Sequence, residues 1–280
     1  MPELPEVETI KNDLIPQVVG RTITGGSVFW PSLVREPTSE ELGRDIAGRE
    51  VLGISRRAKY LLFRLSGGKT LVAHLKMSGS LLIRSPEDLA DLHLSAMFYL
   101  DDGRELRLVD PRRFATLWLM DTAEEGRITG KLGPEPLSPE FTPEVLANIV
   151  DKRKVPIKPL LMDQDVVAGL GNIYADEVLF EAGVHPARTA SSLSGDEIGR
   201  LHCAIRTALE RGIRNRGTTV VNYQDAYGRP GNNQLYLNVY NRSKKPCPRC
   251  GTPIQRMQLR GRVAHYCPHC QPASAVARPD

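Results

Sequence analysis

The first residues of the chain place an unusual nucleophile next to a carboxylate. Pro2 becomes the terminal residue once Met1 is removed, and a small second residue such as proline generally permits that removal. An α-amino group has a pKa of about 7.7 to 8.0, so a usable fraction is unprotonated near neutral pH. The prolyl amine can add to a carbonyl carbon or a sugar C1′ and form an iminium, as lysine amines do in Schiff-base enzymes, with Glu3 beside it. The same residues also fit an acidic, proline-started helix at a chain end.

Four of the five cysteines form two C-x2-C pairs near the C-terminus, separated by sixteen residues. Two thiolates three positions apart bind one side of a tetrahedral Zn²⁺, and two such pairs complete a closed four-sulfur site without an open position for catalysis. We therefore predict one structural zinc ion in a module that follows Leu235 to Tyr240 and contains Gln255 to Tyr266, folded as a β-hairpin around the metal. The predicted ligands are Cys247, Cys250, Cys267 and Cys270. The fifth cysteine, Cys203, lies in a helical pattern and is predicted to be a core residue.

A helix is predicted to carry the N-terminal amine. Its apolar face has the spacing of Leu4, Val7, Ile10 and Leu14. Pro5 falls in the first turn, where proline is tolerated, and Glu6 and Glu8 suit the positive end of the helix dipole. That dipole disfavours a protonated amine whereas Glu3 favours it, and the sequence leaves open which effect prevails.

Short β-rich runs fill the chain from Gly20 to Met120. Turns are predicted at Gly67-Gly68 and Asp102-Gly103. Many short strands at regular intervals favour a sandwich or barrel, and we predict a β-sandwich. The predicted strands are 22–30, 50–55, 60–65, 70–75, 94–100, 104–109 and 115–120.

The composition changes after residue 133, where four prolines fall between Gly133 and Pro143 and exclude regular structure. Helical patterns follow, at 143–151, 156–162, 172–182 and 194–214, with Gly183 as a helix stop. The loop from Asp163 to Gly171 predicts a helix-two-turns-helix arrangement. The fold class is thus α+β, with an N-terminal helix and β-sandwich, a helical helix-two-turns-helix domain and a terminal zinc hairpin. The predicted domains are 1–133, a linker 134–143, 144–235, a zinc finger 236–270 and a tail 271–280.

Charge and hydropathy indicate a cytoplasmic protein that binds a polyanion. The net charge is +4, and residues 241–270 contain seven Lys or Arg and no Asp or Glu. A solvated face that keeps the module soluble would have the same composition. No apolar run reaches the 18 residues of a membrane span, and the N-terminus has no signal pattern.

Four motifs in this order resemble the formamidopyrimidine-DNA glycosylase family across almost the whole chain. They are PELPEVE at the terminus, HLKMSG at 74–79, DPRRF at 110–114 and GLGNIYA at 169–175, followed by the zinc hairpin. The sister branch, endonuclease VIII, usually opens with PEGPE and lacks the Met, Arg and Phe trio, so this chain is more similar to the first branch.

The resemblance implies a bifunctional DNA glycosylase and AP lyase of base excision repair, acting as a monomer on double-stranded DNA that contains oxidised bases or abasic sites. It implies a bacterial, nucleoid-associated enzyme that excises 8-oxoguanine and formamidopyrimidines. Such an enzyme flips the damaged nucleotide out of the duplex and fills the hole that it leaves. The implied chemistry is a Pro2 Schiff base followed by β- and δ-elimination.

The residues that match the family's functional positions fall into three groups. Catalytic roles are implied for Pro2, Glu3, Lys59 and Arg262. Void filling is implied for Met77, Arg112 and Phe114, with Arg112 donating to the orphaned cytosine. Other DNA contacts are implied for His74, His93, Arg113, Lys154 and Asn172, the last also as the N-cap of its helix. Ordinary structural roles would explain each of these residues taken singly.

The chain departs from the family pattern at three positions. Ala115 stands where the family usually has glycine, Ala264 where it has threonine, and Asn241 where it has glycine. Ala115 is expected to shift a tight turn, and Ala264 removes a hydroxyl that would orient Arg262. Two alternatives to the main interpretation are an endonuclease VIII-like enzyme for oxidised pyrimidines, decided by the loop around 218–231, and a damaged-DNA binder without catalysis.

Overall fold

The computed structural model describes residues 1–273, and these form two compact units. The first unit comprises Met1–Lys131 and Gly212–Gln234, and the second comprises Leu132–Arg211 and the chain from Leu235 onward. The predicted helical domain, 144–235, thus loses its last residues to the first unit. The physical reason is that Arg216 pairs with Asp13, at 2.7 Å, and the Thr218 amide donates to Glu6, at 2.7 Å.

The first unit is built on a nine-stranded sheet with the order β2-β9-β5-β4-β3-β1-β7-β8-β6. Its strands are β1 (Thr22–Val28), β2 (Val34–Glu36), β3 (Arg49–Arg57), β4 (Tyr60–Leu65), β5 (Lys69–His74), β6 (Ser80–Arg84), β7 (Leu94–Leu100), β8 (Glu105–Val109) and β9 (Thr116–Asp121). Its helices are α1 (Leu4–Val18), α2 (Ser39–Asp45) and α3 (Gly126–Thr129), with 3₁₀ turns at Pro31–Leu33 and Thr122–Glu124.

The sheet consists of two halves, β2 to β3 and β1 to β6 in spatial order, joined through two residue pairs between β1 and β3. A single apolar core takes alternate residues from both halves, such as Phe63 and Phe98, together with the buried face of α1. Because a strand alternates its side chains between two faces, Leu62 of β4 instead joins a small cluster on the outer face. This arrangement confirms the predicted sandwich, and the four predicted apolar positions of α1 are all buried.

The second unit is mainly helical. Its helices are α4 (Pro143–Val150), α5 (Ile157–Met162), α6 (Asn172–Ala182) and α7 (Gly195–Arg214). A 3₁₀ turn lies at Ala190–Ser192, and another, Asn233–Tyr236, spans the point in the sequence where the first unit ends and the second resumes. Gly183 ends α6 in the left-handed conformation, with φ of 72°, as predicted. The proline-rich residues 133–142 have no helix or strand, and His202 of α7 holds the Phe141 carbonyl at 2.6 Å. Among residues 1–273, none of the helices has the length and apolarity of a membrane span.

A two-stranded hairpin, β10 (Gln255–Leu259) and β11 (Arg262–Tyr266), completes the second unit. The two turn residues, Arg260 and Gly261, have φ of 45° and 77°. Positive φ at both central residues is the type I′ geometry that matches the twist of a hairpin. Arg262 therefore lies at the first position after a tight turn.

Two predictions about single residues in this unit are wrong. Cys203 is exposed on α7, because its position in the helix faces away from the apolar stripe that includes Leu201 and Ala204. Gln271 does not belong to a frayed tail. It is fully buried, its amide nitrogen donates to the Val184 carbonyl and its Oε1 accepts from the Cys267 amide, both at 2.9 Å. The rest of the predicted tail from residue 274 lies outside the described residues.

Candidate active site

The N-terminus lies at the start of α1 and is partly enclosed by the first unit. Pro2 is buried and Glu3, the N-cap residue of α1, is 2% exposed. Glu3 and Glu6 form a reciprocal capping box, in which the Glu3 amide donates to Glu6 Oε2 at 2.8 Å. The first turn of the helix is thus closed by the two carboxylates nearest the terminal amine.

The pKa of the terminal amine is lowered from its usual 8.0. Burial is the largest cause, since it disfavours the charged form. Glu3 and Glu6 raise this pKa, while Lys59 and Arg112 lower it. The amine is that of Met1 in the full chain, and Pro2 nitrogen takes the terminal position after processing. Four predicted site residues, Pro2, Glu3, Lys59 and Arg112, are therefore brought to one place.

Lys59 is positioned by a hairpin that α1 holds directly. It occupies the two-residue turn between β3 and β4 with Ala58, whose φ is 53°, and it is 4% exposed. Arg56 donates to the Ala58 carbonyl at 2.9 Å and to Glu8 of α1 at 2.8 Å. The helix that carries the amine and the turn that carries the lysine are thus linked through one guanidinium.

His74 is buried at the end of β5 and stays neutral. Burial lowers its pKa to about 3, and the charges of Lys76 and Lys59 contribute to the shift. Its Nδ1 accepts from the Lys76 amide at 2.9 Å, so the ring proton lies on Nε2, and the ring packs edge-on against Tyr60. His74 can therefore offer a phosphate one neutral N–H, not a positive charge.

Met77, Arg112 and Phe114 form one exposed cluster on two loops. The Arg112 guanidinium lies 4.8 Å from the centre of the Phe114 ring, and its Nη1 is 3.4 Å from the Met77 sulfur. Met77 is 44% and Phe114 48% exposed, so neither is the core residue that its type alone would suggest. The structure brings the predicted trio together at the surface.

Asp110, which the sequence reasoning did not single out, fastens both of these loops. It is fully buried, and its Oδ1 accepts from the Ser78 hydroxyl at 2.5 Å and the Arg112 amide at 3.1 Å. Its Oδ2 accepts from the amides of Phe114, at 2.6 Å, and Ala115, at 2.7 Å. One carboxylate thus satisfies four donors, and its place at the head of the DPRRF motif was the available signal.

Arg113 and His93 both have left-handed backbones beside this cluster, with φ of 58° and 66°. Arg113 stacks over Trp30, with its guanidinium 3.9 Å from the ring centre. His93 is exposed, and its carbonyl accepts from the Asp110 amide at 3.1 Å. Both residues therefore belong to the same surface as the trio.

The loop from Thr218 to Gly231 is anchored on α1. Arg216 Nη2 lies 2.7 Å from Asp13 Oδ2 and 2.5 Å from Asp225 Oδ2. Asp225 is fully buried and its Oδ1 accepts from the amides of Tyr227 and Arg229, both at 2.9 Å. Both the start and the middle of the loop are therefore tied to the helix that carries the N-terminus.

A cavity of about 400 Å³ lies between this loop and the sheet. Its lining includes Ser78, which follows Met77 in the sequence, and Pro111, which precedes Arg112. The remaining lining residues are Ser80, Asp91, Leu92, Val109, Val221, Asn222, Tyr223, Gln224, Gly228 and Pro230. The shape of this cavity was not predictable from the sequence, because its walls come from segments more than a hundred residues apart.

In the second unit, Asn172 and Lys154 lie at the ends of different elements. Asn172 is the first residue of α6 and not its N-cap as predicted, because Gly171 takes the extended N-cap conformation. Its Oδ1 is buried without a hydrogen-bond partner among the described residues. Lys154 is exposed in the loop between α4 and α5.

The two-turn loop before Asn172 is held by Gln164, another residue that sequence reasoning missed. Its Nε2 donates to the carbonyls of Met162 and Leu170, both at 2.8 Å, and its Oε1 accepts from the Gly169 amide at 3.0 Å. One side chain therefore replaces the hydrogen bonds that a regular helix would have provided.

The four predicted cysteine ligands converge in the second unit. Their sulfur atoms all lie within 4.8 Å of one another, and Cys250 Sγ is 3.5 Å from both Cys267 Sγ and Cys270 Sγ. A tetrahedral site with Zn–S bonds of about 2.3 Å has sulfur atoms about 3.8 Å apart, so the cluster fits one structural zinc ion. It leaves no position for a substrate. Arg262 is exposed at the other end of the hairpin.

Two of the departures from the family pattern are accommodated by the backbone. Ala115 is buried and is not among the positive-φ residues, and the left-handed residue of its turn is Arg113, so the backbone at position 115 does not require glycine. Asn241 has φ of 57°, and asparagine is among the residues that adopt this conformation most readily after glycine.

Three family models match the chain in order. They are the N-terminal domain of formamidopyrimidine-DNA glycosylase over residues 1–117, its H2TH domain over 132–224, and a zinc finger found in FPG and IleRS over 244–273. A formamidopyrimidine-DNA glycosylase of Herpetosiphon aurantiacus is 46% identical over 97% of this chain and 100% of its own length. One of Symbiobacterium thermophilum is 49% identical over 97% of this chain and 90% of its own.

The chain belongs to the formamidopyrimidine-DNA glycosylase family. Solved members have the same fold: a Lactococcus lactis FPG mutant bound to Fapy-dG containing DNA matches with a TM-score of 0.90 and 35% identity, over 97% of this chain and 100% of that one. The L. lactis Fpg bound to abasic-site DNA matches equally well, with a TM-score of 0.90 over 96% of this chain and 99% of that one. The resemblance inferred from four motifs is confirmed.

Proposed function

We propose that this family member, a DNA glycosylase and AP lyase of base excision repair, removes oxidised purines from double-stranded DNA with Pro2 as its nucleophile. The observation that carries the proposal is the environment of the N-terminus, where Pro2 and Glu3 are buried at the start of α1 and the charges of Lys59 and Arg112 act on the terminal amine. In the unprocessed chain this amine is that of Met1, and burial is the main cause of its lowered pKa. A lowered pKa leaves more of the amine unprotonated at neutral pH, as nucleophilic attack requires.

In the proposed reaction, the Pro2 lone pair forms a bond to C1′ of the flipped nucleotide. The glycosidic bond breaks, its electron pair leaves with the base, and the base takes up a proton. The Pro2 nitrogen gives its own proton to the Glu3 carboxylate, which passes it to O4′ as the sugar ring opens and the iminium forms between Pro2 and C1′. The proton on the departing base comes from water. Lys59, buried in its hairpin turn beside this position, assists the eliminations that follow.

The iminium acidifies the C2′ proton, whose loss expels the 3′-phosphate by β-elimination. Loss of the C4′ proton then expels the 5′-phosphate by δ-elimination, for which Arg262 supplies a proton, and water releases the sugar fragment from Pro2. The product is a one-nucleotide gap. Zinc has no part in these steps, because four thiolates complete its coordination.

The flipped base is assigned to the cavity of about 400 Å³ between the sheet and the 218–231 loop. Met77, Arg112 and Phe114, on the rim of that cavity, fill the hole in the duplex, with Arg112 donating to the orphaned cytosine. Phosphate contacts are assigned to His74, His93, Arg113, Lys154, Asn172 and Arg262. The L. lactis relatives bind DNA with Fapy-dG or an abasic site, and one is described with an oxidised pyrimidine.

Borohydride trapping tests the nucleophile. The Met1-processed protein is incubated with an 8-oxoguanine:cytosine duplex and borohydride, and mass spectrometry locates the adduct. An adduct on Pro2 is expected, and a protein with an uncleaved N-terminal tag is the matched control. An adduct on Lys59, or none on processed protein, would reject Pro2. A higher kcat/KM for an oxidised pyrimidine than for 8-oxoguanine would instead favour the endonuclease VIII-like specificity.

We also propose that the protein works as a monomer at the bacterial nucleoid. Its basic segment, residues 241–270, supports association with DNA. A fluorescent protein fused at the C-terminus leaves the N-terminus free, so imaging of that fusion tests the localisation. Sedimentation of the purified protein tests the oligomeric state.

A further inference from the structure

Three polar side chains that the proposed mechanism does not use meet behind Arg262 in the second unit. Lys158 belongs to α5, Asp176 to α6 and His265 to β11. The side chains of Lys158 and Asp176 are 1% and 0% exposed, and Lys158 Nζ lies 2.7 Å from Asp176 Oδ1. Charges so far from water require a specific arrangement of partners, because each would otherwise cost several kcal/mol of solvation.

The network engages the strand on both sides of residue 264. Asp176 Oδ2 accepts from the backbone amide of His265 and from its Nδ1, both at 3.0 Å. Lys158 Nζ donates to the Val263 carbonyl at 2.6 Å. Since an ionised carboxylate only accepts, Nδ1 carries the proton. Three hydrogen bonds therefore fasten the strand to α5 and α6 within three residues of Arg262.

The zinc end of the hairpin is attached to α6 separately. Phe180 packs with Cys247, Ile254 and Cys267, and the Arg249 guanidinium lies 4.3 Å from the Phe180 ring centre. Arg262 is five residues from Cys267, about 17 Å along an extended strand. A tilt of about 10° at the zinc end alone would move it about 3 Å, and about 1 Å of misplacement costs on the order of 10²-fold in rate.

We propose that Asp176, with Lys158 and His265, is the positioning network that holds Arg262 in place for its phosphate. The inference rests on the proposed function for the role of Arg262. Ala264 is fully buried and contributes no side-chain polar atom, so the hydroxyl expected to orient Arg262 is replaced by bonds at the two neighbouring residues. The zinc ion fixes the strand at Cys267, and this network fixes it between Cys267 and Arg262, at Val263 and His265.

Substitution of Asp176 with Asn separates this role from zinc binding. The variant keeps the shape of the side chain, but it loses the negative charge opposite Lys158. One of the two carboxylate oxygens, both of which accept, becomes an amide nitrogen that can only donate. We expect one zinc per chain as in the parent protein. Affinity for undamaged and lesion duplex alike should fall about tenfold. The plot of log K against log salt should become shallower by about 0.7 to 0.9, as expected for one lost phosphate contact.

Coupling to Arg262 is the decisive measurement. If Asp176 acts through Arg262, the double variant D176N/R262A should bind no more weakly than Arg262→Ala alone, whereas D176N/R112A should show both losses. Glu197→Gln is the matched control, because it breaks another half-buried ion pair of the second unit, with Arg188 at 3.1 Å. It should lower the melting temperature without altering the salt dependence.

His265→Phe provides a milder variant that keeps a ring beside Tyr240, 5.2 Å away, and keeps the backbone amide bond to Asp176. It removes both ring nitrogens and with them the Nδ1 bond to Asp176. It should weaken binding in the same direction and to a smaller extent. The inference is overturned if Asp176→Asn and His265→Phe lower only the melting temperature, if the losses of Asp176→Asn and Arg262→Ala add, or if Arg262→Ala leaves the salt dependence unchanged. None of these readouts, which are DNA affinity, its salt dependence, zinc content and melting temperature, depends on catalysis, so failure of Pro2 to form an adduct would reject the proposed function independently.

Discussion

Burial has the largest influence on the pKa of the terminal amine. The opposing effects of the helix dipole and Glu3 can be inferred from the sequence, but the burial cannot. Burial comes first among the causes and lowers the pKa, and the opposing effect of Glu3 and Glu6 does not reverse it. The basic groups of Lys59 and Arg112 act in the same direction as burial. After removal of Met1, the Pro2 nitrogen becomes the terminal amine next to the same charged groups.

Retention of Met1 should abolish strand cleavage but leave DNA binding intact, because it converts the Pro2 nitrogen into an amide without a nucleophilic lone pair. In the processed protein, protonation removes the nucleophile as pH falls. The single-turnover rate should therefore fall as the pH is lowered through the pKa of the Pro2 nitrogen. Cleavage assays with mass-verified termini measure both effects, and full cleavage by a protein that retains Met1 would contradict the first.

Loss of Arg112 should affect base reading rather than general affinity. Arg112→Ala should cost about 1 to 3 kcal/mol of discrimination between bases opposite the lesion, with little change in salt dependence. Arg262→Ala should weaken all duplexes alike and flatten the salt dependence. The measurement is a titration with 8-oxoguanine paired with each of the four bases at several salt concentrations. Equal losses for all four pairings of Arg112→Ala, with a flattened slope, would make Arg112 a phosphate contact.

The contribution of His74 to binding should not change between pH 5.5 and 8. Its pKa of about 3 means that the ring is neutral throughout this range and donates only Nε2–H. The ratio of affinities of the parent protein and His74→Ala should therefore be constant across the range. A ratio that grows as the pH falls towards 5.5 would show that a protonated ring binds the phosphate.

At the scale of elements, the sequence predicted those whose pattern is local. The strands at 60–65 and 94–100 and the helix at 172–182 have their predicted bounds. The short strands β2 and β6 and the helix α2 were not predicted. For β6 the reason is that it is buried on both faces, so its sequence shows no alternation of apolar and polar residues. Asp110 and Asp176 were missed for another reason. Asp110 accepts from the Ser78 hydroxyl, 32 residues away in sequence, and Asp176 accepts from the His265 amide, 89 residues away. Only the folded chain brings these partners together.

The anchoring of the 218–231 loop should matter for base excision and not for the lyase step. Arg216→Ala leaves the buried Asp225 without its cation, which should cost about 1 to 3 kcal/mol of stability, at the lower end because the guanidinium is 41% exposed. An abasic duplex has no base for the loop to contact. Its cleavage rate should thus stay near that of the parent protein while 8-oxoguanine excision falls.

Parallel single-turnover assays on the two duplexes measure this difference. Arg229→Ala is the control within the same loop, because its backbone amide and not its side chain is used by Asp225, at 2.9 Å. Equal loss on the abasic and the 8-oxoguanine duplex would show that the loop supports the whole site and not the base pocket.

At the scale of the whole molecule, the chain divides its functions between two units with separate hydrophobic cores. The first unit carries the terminal amine, Lys59, the exposed cluster of Met77, Arg112 and Phe114, and the cavity. The second carries Asn172, Lys154, the cysteine cluster and Arg262. The order of the family motifs along the chain already separates these two groups of residues, since the motifs at 1–8, 74–79 and 110–114 precede residue 132 and the others follow it. The return of residues 212–234 to the first unit was not predictable, because it depends on the pairing of Arg216 with Asp13.

Zinc loss should therefore unfold part of one unit and leave the other folded. Cys267→Ser, or removal of the metal by a chelator, takes away the tetrahedral centre that binds β11 to the second unit, and metal binding and local folding are one equilibrium. Affinity for damaged and undamaged duplex should fall together.

Both tryptophans, Trp30 and Trp118, lie in the first unit, so their fluorescence reports that unit alone. Their emission spectrum should stay unchanged while zinc is released and hairpin amides lose protection from hydrogen exchange. A red shift of the tryptophan emission on zinc release would show that the first unit depends on the metal, and retained stoichiometric zinc with unchanged affinity in Cys267→Ser would refute the structural role of that thiolate.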